Sequence, residues 1–268
     1  MMRQNQIMNE LDRHYQEALK RYKESQIVAI CLQGSQNYGL DIEGSDIDTK
    51  CILTPTFKDI AMANQMVSTT HVLDNNEHLD AKDIRAYISC FRKQNLNFLE
   101  ILFTEYFIIP VQYYSQWYRL VVNREDIARM NEYRAVKSMK GIALEKYHAM
   151  EHPYPSKVDI LAKYSYDPKQ LHHLVRVDEY LTRYIAGEQY KDCLIPKDDV
   201  REYLLDIKKG KYDLAAARSI ADKTLAHVTQ IADDFCSKQE DKEDEDMREL
   251  LQDVQYEIMK IAVQEELK

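Results

Sequence analysis

Two aspartates separated by a single residue, Asp46 and Asp48, lie in a segment that also holds three of the chain's six glycines. Side chains two positions apart on a strand point to the same face, so a strand through 46–48 would place both carboxylates side by side. Adjacent carboxylates repel each other unless a cation lies between them. Mg²⁺ suits this place, because it takes hard oxygen ligands and often binds one or two carboxylates together with substrate phosphates. An exposed acidic turn that binds nothing is the alternative for an isolated pair of this kind.

The glycine-rich segment begins with Gly34 and Ser35, directly after the apolar run 27–32. That run has the length and the β-branched content of a buried strand. Without a Cβ atom, Gly34 can adopt unusual dihedral angles and let Ser35 and the neighbouring amides approach phosphate oxygens. Neither the Walker pattern nor the three-glycine dinucleotide pattern is present. The sequence therefore predicts a phosphate-binding turn at 34–35 that differs from both common nucleotide loops.

Three short motifs stand in this order along the segment: Gly34-Ser35, Tyr38-Gly39 and Ser45-Asp46-Ile47-Asp48. Together they resemble the nucleotidyltransferase signature of the DNA polymerase beta superfamily, in particular its branch of RNA-repair-associated polymerase-beta-like proteins. The resemblance covers residues 27–105. It implies that Gly34 and Ser35 hold the triphosphate of an NTP. It also implies that Asp46, Asp48 and a third carboxylate on a later strand bind Mg²⁺, or Mn²⁺ in its place.

The third carboxylate is expected within segment 70–83, and Asp80 is favoured. It precedes an amphipathic stretch with helical spacing, and a strand that ends at Asp80 would bring its carboxylate to the edge of the sheet. The resembled family likewise carries an acidic residue shortly before this helix. Glu77 and Asp83 are the alternatives, although Asp83 could instead cap the helix. With three carboxylates, two metal ions about 3.5–4 Å apart could activate the attacking hydroxyl and stabilise the leaving pyrophosphate.

One further carboxylate, Glu100, lies inside the strongly apolar segment 98–103. A buried carboxylate needs a partner, and an arginine or lysine is the expected one. A solvent-facing position on an amphipathic element is the alternative. We expect Glu100 to support the site rather than to take part in the chemistry.

A second group of candidate residues lies near the middle of the chain, where Asp167 and Pro168 are typical of a helix start. Lys169, His173 and Arg176 then share one helix face, because they are spaced i, i+4 and i+7. Three cation-capable side chains suit a triphosphate, with the arginine binding oxygens as a fork and the lysine acting as a point charge. The resembled branch has a similar Lys-x-x-x-His-x-x-Arg pattern at this place. A solvated helix face is the alternative.

These residues require a sheet followed by helices. We predict an α+β chain with a small mixed β-sheet nucleotidyltransferase core and flanking helices over residues 1–125. A mainly helical substrate-binding region is predicted over 126–268, with a charged linker near 238–246. The last amphipathic helix could dock on its own domain or on a second copy, which would give a homo-oligomer. Sequence patterns alone do not decide between these two partners.

Composition narrows the class of protein further. The formal net charge of −9 disfavours sequence-independent binding along an extended nucleic-acid duplex, because the phosphates of the duplex are also negative. No apolar run approaches the length of a membrane span, and the polar first residues lack a signal-peptide pattern, which predicts a cytoplasmic chain without membrane contact. The five cysteines have no metal-binding or redox spacing.

The sequence thus predicts a Mg²⁺-dependent nucleotidyltransferase that moves a nucleoside monophosphate from an NTP, such as ATP, to an acceptor hydroxyl and releases pyrophosphate. An RNA or DNA end is the favoured acceptor. Transfer to a protein or a small molecule is one alternative, and a catalytically silent nucleotide-binding interaction protein is another. The intact Gly-Ser and Asp-x-Asp motifs argue against a silent protein.

Overall fold

The computed structural model describes residues 4–74 and 76–268, and the chain divides into two compact units. Unit 1 consists of Met1–Met130 together with Glu243–Lys268, and unit 2 consists of Asn131–Lys242. Unit 2 is therefore inserted into the sequence of unit 1. The predicted α+β class is confirmed, because unit 1 contains a mixed sheet with flanking helices and unit 2 is helical.

Unit 1 is built on one mixed sheet, which has five strands among the residues that the structure describes. The strands are β1 (Ile27–Gln33), β2 (Asp48–Leu53), β3 (Ser68–Val72), β4 (His78–Asp83) and β5 (Phe107–Ile108). Their order across the sheet is β3-β4-β2-β1-β5. β1 pairs antiparallel with both β2 and β5, whereas β4 runs parallel to β2 and antiparallel to β3.

Strand β1 lies in the interior of unit 1, as its apolar sequence predicts. Every residue from Ile27 to Leu32 is buried, and the strand ends where Gly34 adopts a φ of +108°. Burial raises the pKa of the Cys31 and Cys51 thiols, so both stay neutral and pack as apolar side chains.

The helices occur along both units and are numbered in chain order. They are α1 (Gln4–Leu19), α2 (Phe57–Ala61), α3 (Ile84–Arg92), α4 (Leu96–Leu99), α5 (Tyr114–Val122), α6 (Arg124–Arg129), α7 (Glu132–Ala149), α8 (Val158–Tyr164), α9 (Pro168–Ile185), α10 (Tyr190–Leu194), α11 (Asp198–Lys208), α12 (Leu214–Cys236) and α13 (Glu245–Glu266). Helices α7 to α12 form unit 2, and the others belong to unit 1. None of the helices in the described ranges is both long enough and apolar enough to cross a bilayer.

The last helix, α13, docks on its own unit. It packs against α3 and α5, and its apolar face buries Leu251, Val254 and Ile258. The sequence placed this helix with the helical region 126–268, whereas the structure groups 243–268 with the sheet. The difference arises because an amphipathic pattern shows that a face will be covered but not by which element. A homo-oligomer formed through this helix stays a prediction.

The chain returns to unit 1 beside the point where it left. The Asp244 amide donates a hydrogen bond to the Met130 carbonyl at 2.7 Å. The Arg92 guanidinium binds both carboxylate oxygens of Glu243, at 2.7 and 2.8 Å. Paired hydrogen bonds between arginine and a carboxylate have a defined geometry, so this contact fixes the start of the returning segment.

Helix α9 is the central element of unit 2, and it packs against α7, α11 and α12. The predicted helix start is confirmed: the Asp167 side chain accepts a hydrogen bond from the Lys169 amide at 2.9 Å, and Pro168 is the first helical residue. Gly187, with a φ of +86°, follows the end of the helix.

The buried His172 should make the stability of unit 2 sensitive to pH. Its Nδ1 atom lies 2.9 Å from the Leu204 carbonyl, and burial lowers its pKa to about 4. The folded-state pKa lies below the ordinary value, so the unfolded chain binds the proton first and stability is lost as the pH falls below about 6.5. We expect a loss of about 2 kcal/mol between about pH 7.5 and about pH 5 from this group. Urea unfolding at both pH values measures it.

The histidine can be tested by substitution. His172→Asn should make the dependence of unfolding free energy on pH less steep, with the contribution of the neighbouring His173 remaining, whereas His148→Asn, at an exposed position of α7, should leave the slope unchanged. Equal slopes in the two variants would contradict the assignment to His172.

Candidate active site at the end of the sheet

The predicted phosphate-binding turn is formed by Gly34 and the single 3₁₀ turn Ser35–Tyr38. Gly34 has φ +108° and ψ −163°, a backbone conformation that residues with a Cβ rarely adopt. Gly39, in the left-handed region with a φ of +65°, closes the turn. Inside the turn the Asn37 amide donates to the Gly34 carbonyl at 3.1 Å, so the first two amides of the turn have no partner within it. Successive amides of this kind can bind an anion.

Asp48 lies beside this turn because of the strand pairing. In the antiparallel register of β1 and β2, Asp48 is opposite Gln33, the residue before Gly34. The Cα atoms of such pairs are about 5 Å apart, so the turn and the carboxylate share one end of the sheet. His78 holds the carboxylate in place: its amide and its Nδ1 atom lie 2.9 and 3.0 Å from Asp48 Oδ1. Sequence reasoning missed His78, because only the pairing of β2 with β4 brings it to Asp48.

Asp46 lies just before the strand rather than on it. β2 begins at Asp48, so the prediction that both aspartates lie on one strand is wrong for Asp46, which is exposed in the preceding loop. The Gln36 side-chain amide donates to the Asp46 carbonyl at 2.7 Å. This bond ties the 3₁₀ turn to the loop that carries Asp46.

Asp80 lies in the middle of β4 and is bound by neighbouring side chains. Lys50 donates to Asp80 Oδ2 at 2.7 Å, and Thr70 donates to Asp80 Oδ1 at 3.2 Å. The prediction that the strand ends at Asp80 is wrong, because β4 continues to Asp83. Both carboxylate oxygens of Asp80 therefore accept hydrogen bonds from the protein itself.

The two alternative carboxylates have other partners. Glu77 is buried; it forms an ion pair with Arg13 and lies 3.0 Å from the Nε2 atom of His14. Asp83 caps α3, since its side chain accepts a hydrogen bond from the Arg85 amide at 2.8 Å and pairs with the Arg85 guanidinium. This confirms the capping role that the sequence allowed for Asp83. Each of these carboxylates stabilises the fold around the site.

Two of the predicted metal ligands, Asp46 and Asp48, lie next to the turn. Asp46 is exposed and Asp48 is half-buried, and two carboxylates with a substrate phosphate are a common ligand set for Mg²⁺. Asp80 does not join them in this arrangement, because its oxygens are bound by Lys50 and Thr70. Across residues 4–74 and 76–268, no group of three or more His, Cys, Asp or Glu side chains is placed to hold a metal ion. Asp46, Asp48 and Asp80 do not form such a group in this arrangement, and metal binding by these residues stays a prediction.

A buried carboxylate, that of Glu100, binds the last residue of the turn. Glu100 is 7% exposed and accepts a hydrogen bond from the hydroxyl of Tyr38, the last residue of the 3₁₀ turn. Asn37, also in the turn, accepts from Thr104 at 2.7 Å and donates to the Leu32 carbonyl at 3.0 Å. The sequence predicted a buried Glu100 with a basic partner. The structure shows the burial and adds a tyrosine hydroxyl of the turn as a partner of the carboxylate.

The helix face predicted to bind a triphosphate lies in unit 2. Lys169 is exposed on α9, whereas His173 and Arg176 are half-buried. Burial lowers the pKa of His173 well below its ordinary value, and the neighbouring His172, Arg176, Lys169 and Lys146 lower it further. His173 is therefore neutral at pH 7 and acts as a hydrogen-bonding group rather than a cation. The effect of Lys146 on His173 was missed by sequence reasoning, because Lys146 belongs to α7 and only the packing of α7 against α9 brings it near.

The predicted site residues thus divide between the two units. One set in unit 1 lies at the end of the sheet, and one set in unit 2 lies along α9. The first set is Gly34, Ser35, Asp46 and Asp48, with Asp80 further along the same sheet, and the second, which we call the α9 stripe, is Lys169, His173 and Arg176.

No protein-family model matches the chain, and no curated protein matches it. Among solved structures, it is similar to a nucleotidyltransferase-like protein from Exiguobacterium sibiricum 255-15, with 13% sequence identity and a TM-score of 0.31. The similarity covers 83% of this chain and 74% of that chain. The residues of the site itself carry the functional proposal.

The contact between Tyr38 and Glu100 should contribute measurably to stability. Tyr38→Phe removes a donor from a buried carboxylate, which should cost about 1–3 kcal/mol of unfolding free energy. Urea denaturation measures the change. Tyr118→Phe is the matched control, since Tyr118 is 55% exposed. Equal stability of the two variants would contradict a supporting role for this contact.

Proposed function

We propose that this chain is a nucleotidyltransferase that binds an NTP at the Gly34-Ser35 turn and transfers its nucleoside monophosphate to an acceptor hydroxyl. The register that sets Asp48 opposite Gln33 carries the proposal, because it holds a phosphate-binding turn and a carboxylate at one end of the sheet. The motif resemblance to the RNA-repair-associated branch favours an RNA or DNA end as the acceptor. In the reaction, the acceptor hydroxyl gives its proton to solvent, its oxygen bonds to the α-phosphorus, and the bond from that phosphorus to the pyrophosphate oxygen breaks, so that pyrophosphate leaves with the electron pair.

The residues of the turn and of β2 have separate roles in this proposal. The amides at the start of the 3₁₀ turn and the Ser35 hydroxyl donate hydrogen bonds to the phosphates. Asp46 and Asp48 would hold Mg²⁺, or Mn²⁺ in its place. When bound, this ion neutralises phosphate charge and stabilises the leaving pyrophosphate. His78 keeps the Asp48 carboxylate oriented through its two hydrogen bonds.

The α9 stripe of unit 2, considered by itself, is proposed as a surface that binds a phosphate of one of the substrates. Arg176 can bind two phosphate oxygens with its planar guanidinium, and Lys169 adds an exposed point charge. The neutral His173 can add one hydrogen bond without adding charge. Because its pKa is lowered, His173 stays neutral at about pH 6.5 and above, so its proposed hydrogen bond to phosphate should not depend on pH in that range.

The activity can be tested with labelled NTPs and Mg²⁺, alone and with RNA, DNA or a protein extract. We expect label in the RNA or DNA band and release of pyrophosphate. Asp48→Asn should lower transfer at least about 100-fold, because an ion bound there contributes several kcal/mol to the transition state. Asp12→Asn, an exposed position on α1, is the matched control and should keep full activity.

Two other outcomes of this experiment would contradict parts of the proposal. Label in a protein band would assign a protein acceptor and overturn the nucleic acid as acceptor. Nucleotide binding without pyrophosphate release, with every acceptor tried, would overturn the enzymatic proposal in favour of a silent nucleotide-binding protein.

The α9 stripe gives a separate prediction. Lys169→Ala and Arg176→Ala should each raise the KM of the substrate whose phosphate the stripe binds, the NTP or the acceptor, by about 10-fold to 100-fold, because each removes a charge-assisted hydrogen bond worth about 1.5–3 kcal/mol. Steady-state kinetics measure the change. Lys163→Ala, which removes an exposed lysine of α8, is the control. If all three variants share the wild-type KM, the stripe does not contact the substrate.

A further inference from the structure

Lys50 is a buried cation on the same sheet face as the proposed cation ligand Asp48. It follows Asp48 by two residues on β2, so both side chains point to one face. Only 5% of its surface is exposed, which is rare for lysine unless the charge is paired. The parallel register of β2 and β4 sets Lys50 beside Asp80. A fixed ammonium group thus occupies the face on which a centre of three carboxylates was predicted.

Several contacts keep this ammonium in place. Its Nζ atom lies 2.7 Å from Asp80 Oδ2 and 4.7 Å from the centre of the Phe98 ring. A buried charge needs this kind of compensation, and an aromatic face adds to it. Thr70 binds the other oxygen of Asp80 at 3.2 Å, which fixes the orientation of the carboxylate. The Lys50–Asp80 pair is therefore a formed ion pair, with neither charge left to solvent alone.

The carboxylates on this face do not share a partner. Asp48 is bound by His78, its neighbour on β4, whereas Asp80 is bound by Lys50. Asp80 therefore lies diagonal to Asp48 across the two strands, with the ammonium next to it on β2. A divalent ion placed between the two aspartates would be repelled by this ammonium, since like charges a few ångströms apart interact strongly in a partly buried place.

We propose that the Lys50 ammonium takes the place of the second divalent cation of a two-ion site, so that the chain binds an NTP with a single divalent ion held by Asp46 and Asp48. This inference rests on the proposed function and departs from the prediction that Asp80 is a metal ligand. Lys50 and Asp80 are then positioning residues. Lys50 supplies a fixed positive charge that does not depend on the concentration of free metal ion, and Asp80 holds its ammonium in place.

The test is the number of Mn²⁺ ions bound by the full chain in the presence of a non-hydrolysable NTP analogue, measured by electron paramagnetic resonance. We expect one ion in the wild type. Lys50→Met frees the Asp80 carboxylate and should allow a second ion, and the double variant Lys50→Met/Asp80→Asn should return to one. Lys82→Met is the matched control: Lys82 lies 5.3 Å from the same Phe98 ring but bonds Ser68, so the count should stay at one.

The outcomes separate this inference from the proposed function. A wild type that binds the nucleotide with two ions would overturn the inference and leave the proposed function standing. A wild type that binds neither nucleotide nor ion would overturn both. A folded Lys50→Met variant that still binds one ion would also overturn the inference.

Loss of folding in Lys50→Met does not block the test, because Asp80→Asn decides the same question. If Asp80 binds only groups of the protein, this variant keeps one ion, because Asp46 and Asp48 still hold it. A folded Asp80→Asn variant that binds the nucleotide analogue without any Mn²⁺ would show Asp80 to be a metal ligand and overturn the inference. Circular dichroism of each variant establishes that it is folded.

Discussion

The antiparallel pairing of β1 with β2 is the constraint on which the site depends. β1 is buried along nearly its whole length and is paired on both edges, so its register cannot slip without turning apolar side chains away from the core. The same register decides that the strand end carrying Gly34 meets the strand start carrying Asp48. The packing of β1 in the core thus also fixes where the Asp48 carboxylate lies relative to the Gly34 turn.

Around this pair of strands, several buried polar side chains bind one another. His14 lies 2.7 Å from the Thr49 hydroxyl on β2 and 3.0 Å from Glu77, which links α1 to the sheet. Glu100 supports the turn in a similar way, and Lys50 supports β4. Buried polar groups that are fully partnered make an arrangement rigid, because moving one of them exposes an unpaired charge in a place of low polarity. The strands and the turn of the site are therefore held rigid by these polar contacts as well as by apolar packing.

The sequence predicted the elements whose signals are local. The apolar run 27–32 and the glycine after it predict the buried strand and its turn, and Asp167 before a proline predicts the start of α9. The partners of charged groups have no such signal: Lys50 and Asp80 are 30 positions apart, and Glu100 is 62 positions from the tyrosine that binds it. These contacts depend on strand register and on helix docking, which no short pattern encodes. The predicted three-carboxylate cluster differs from the structure for this reason.

Because unit 2 interrupts the sequence of unit 1, the two parts of unit 1 are synthesised at different times. Residues 131–242 leave the ribosome before α13, yet α13 supplies the apolar face that covers α3 and α5. Unit 2 can therefore fold before unit 1 is complete, and α3 and α5 of unit 1 stay uncovered until then. Until α13 has been synthesised, the faces of α3 and α5 that it covers stay exposed, and exposed apolar surface of this kind can bind chaperones or other chains.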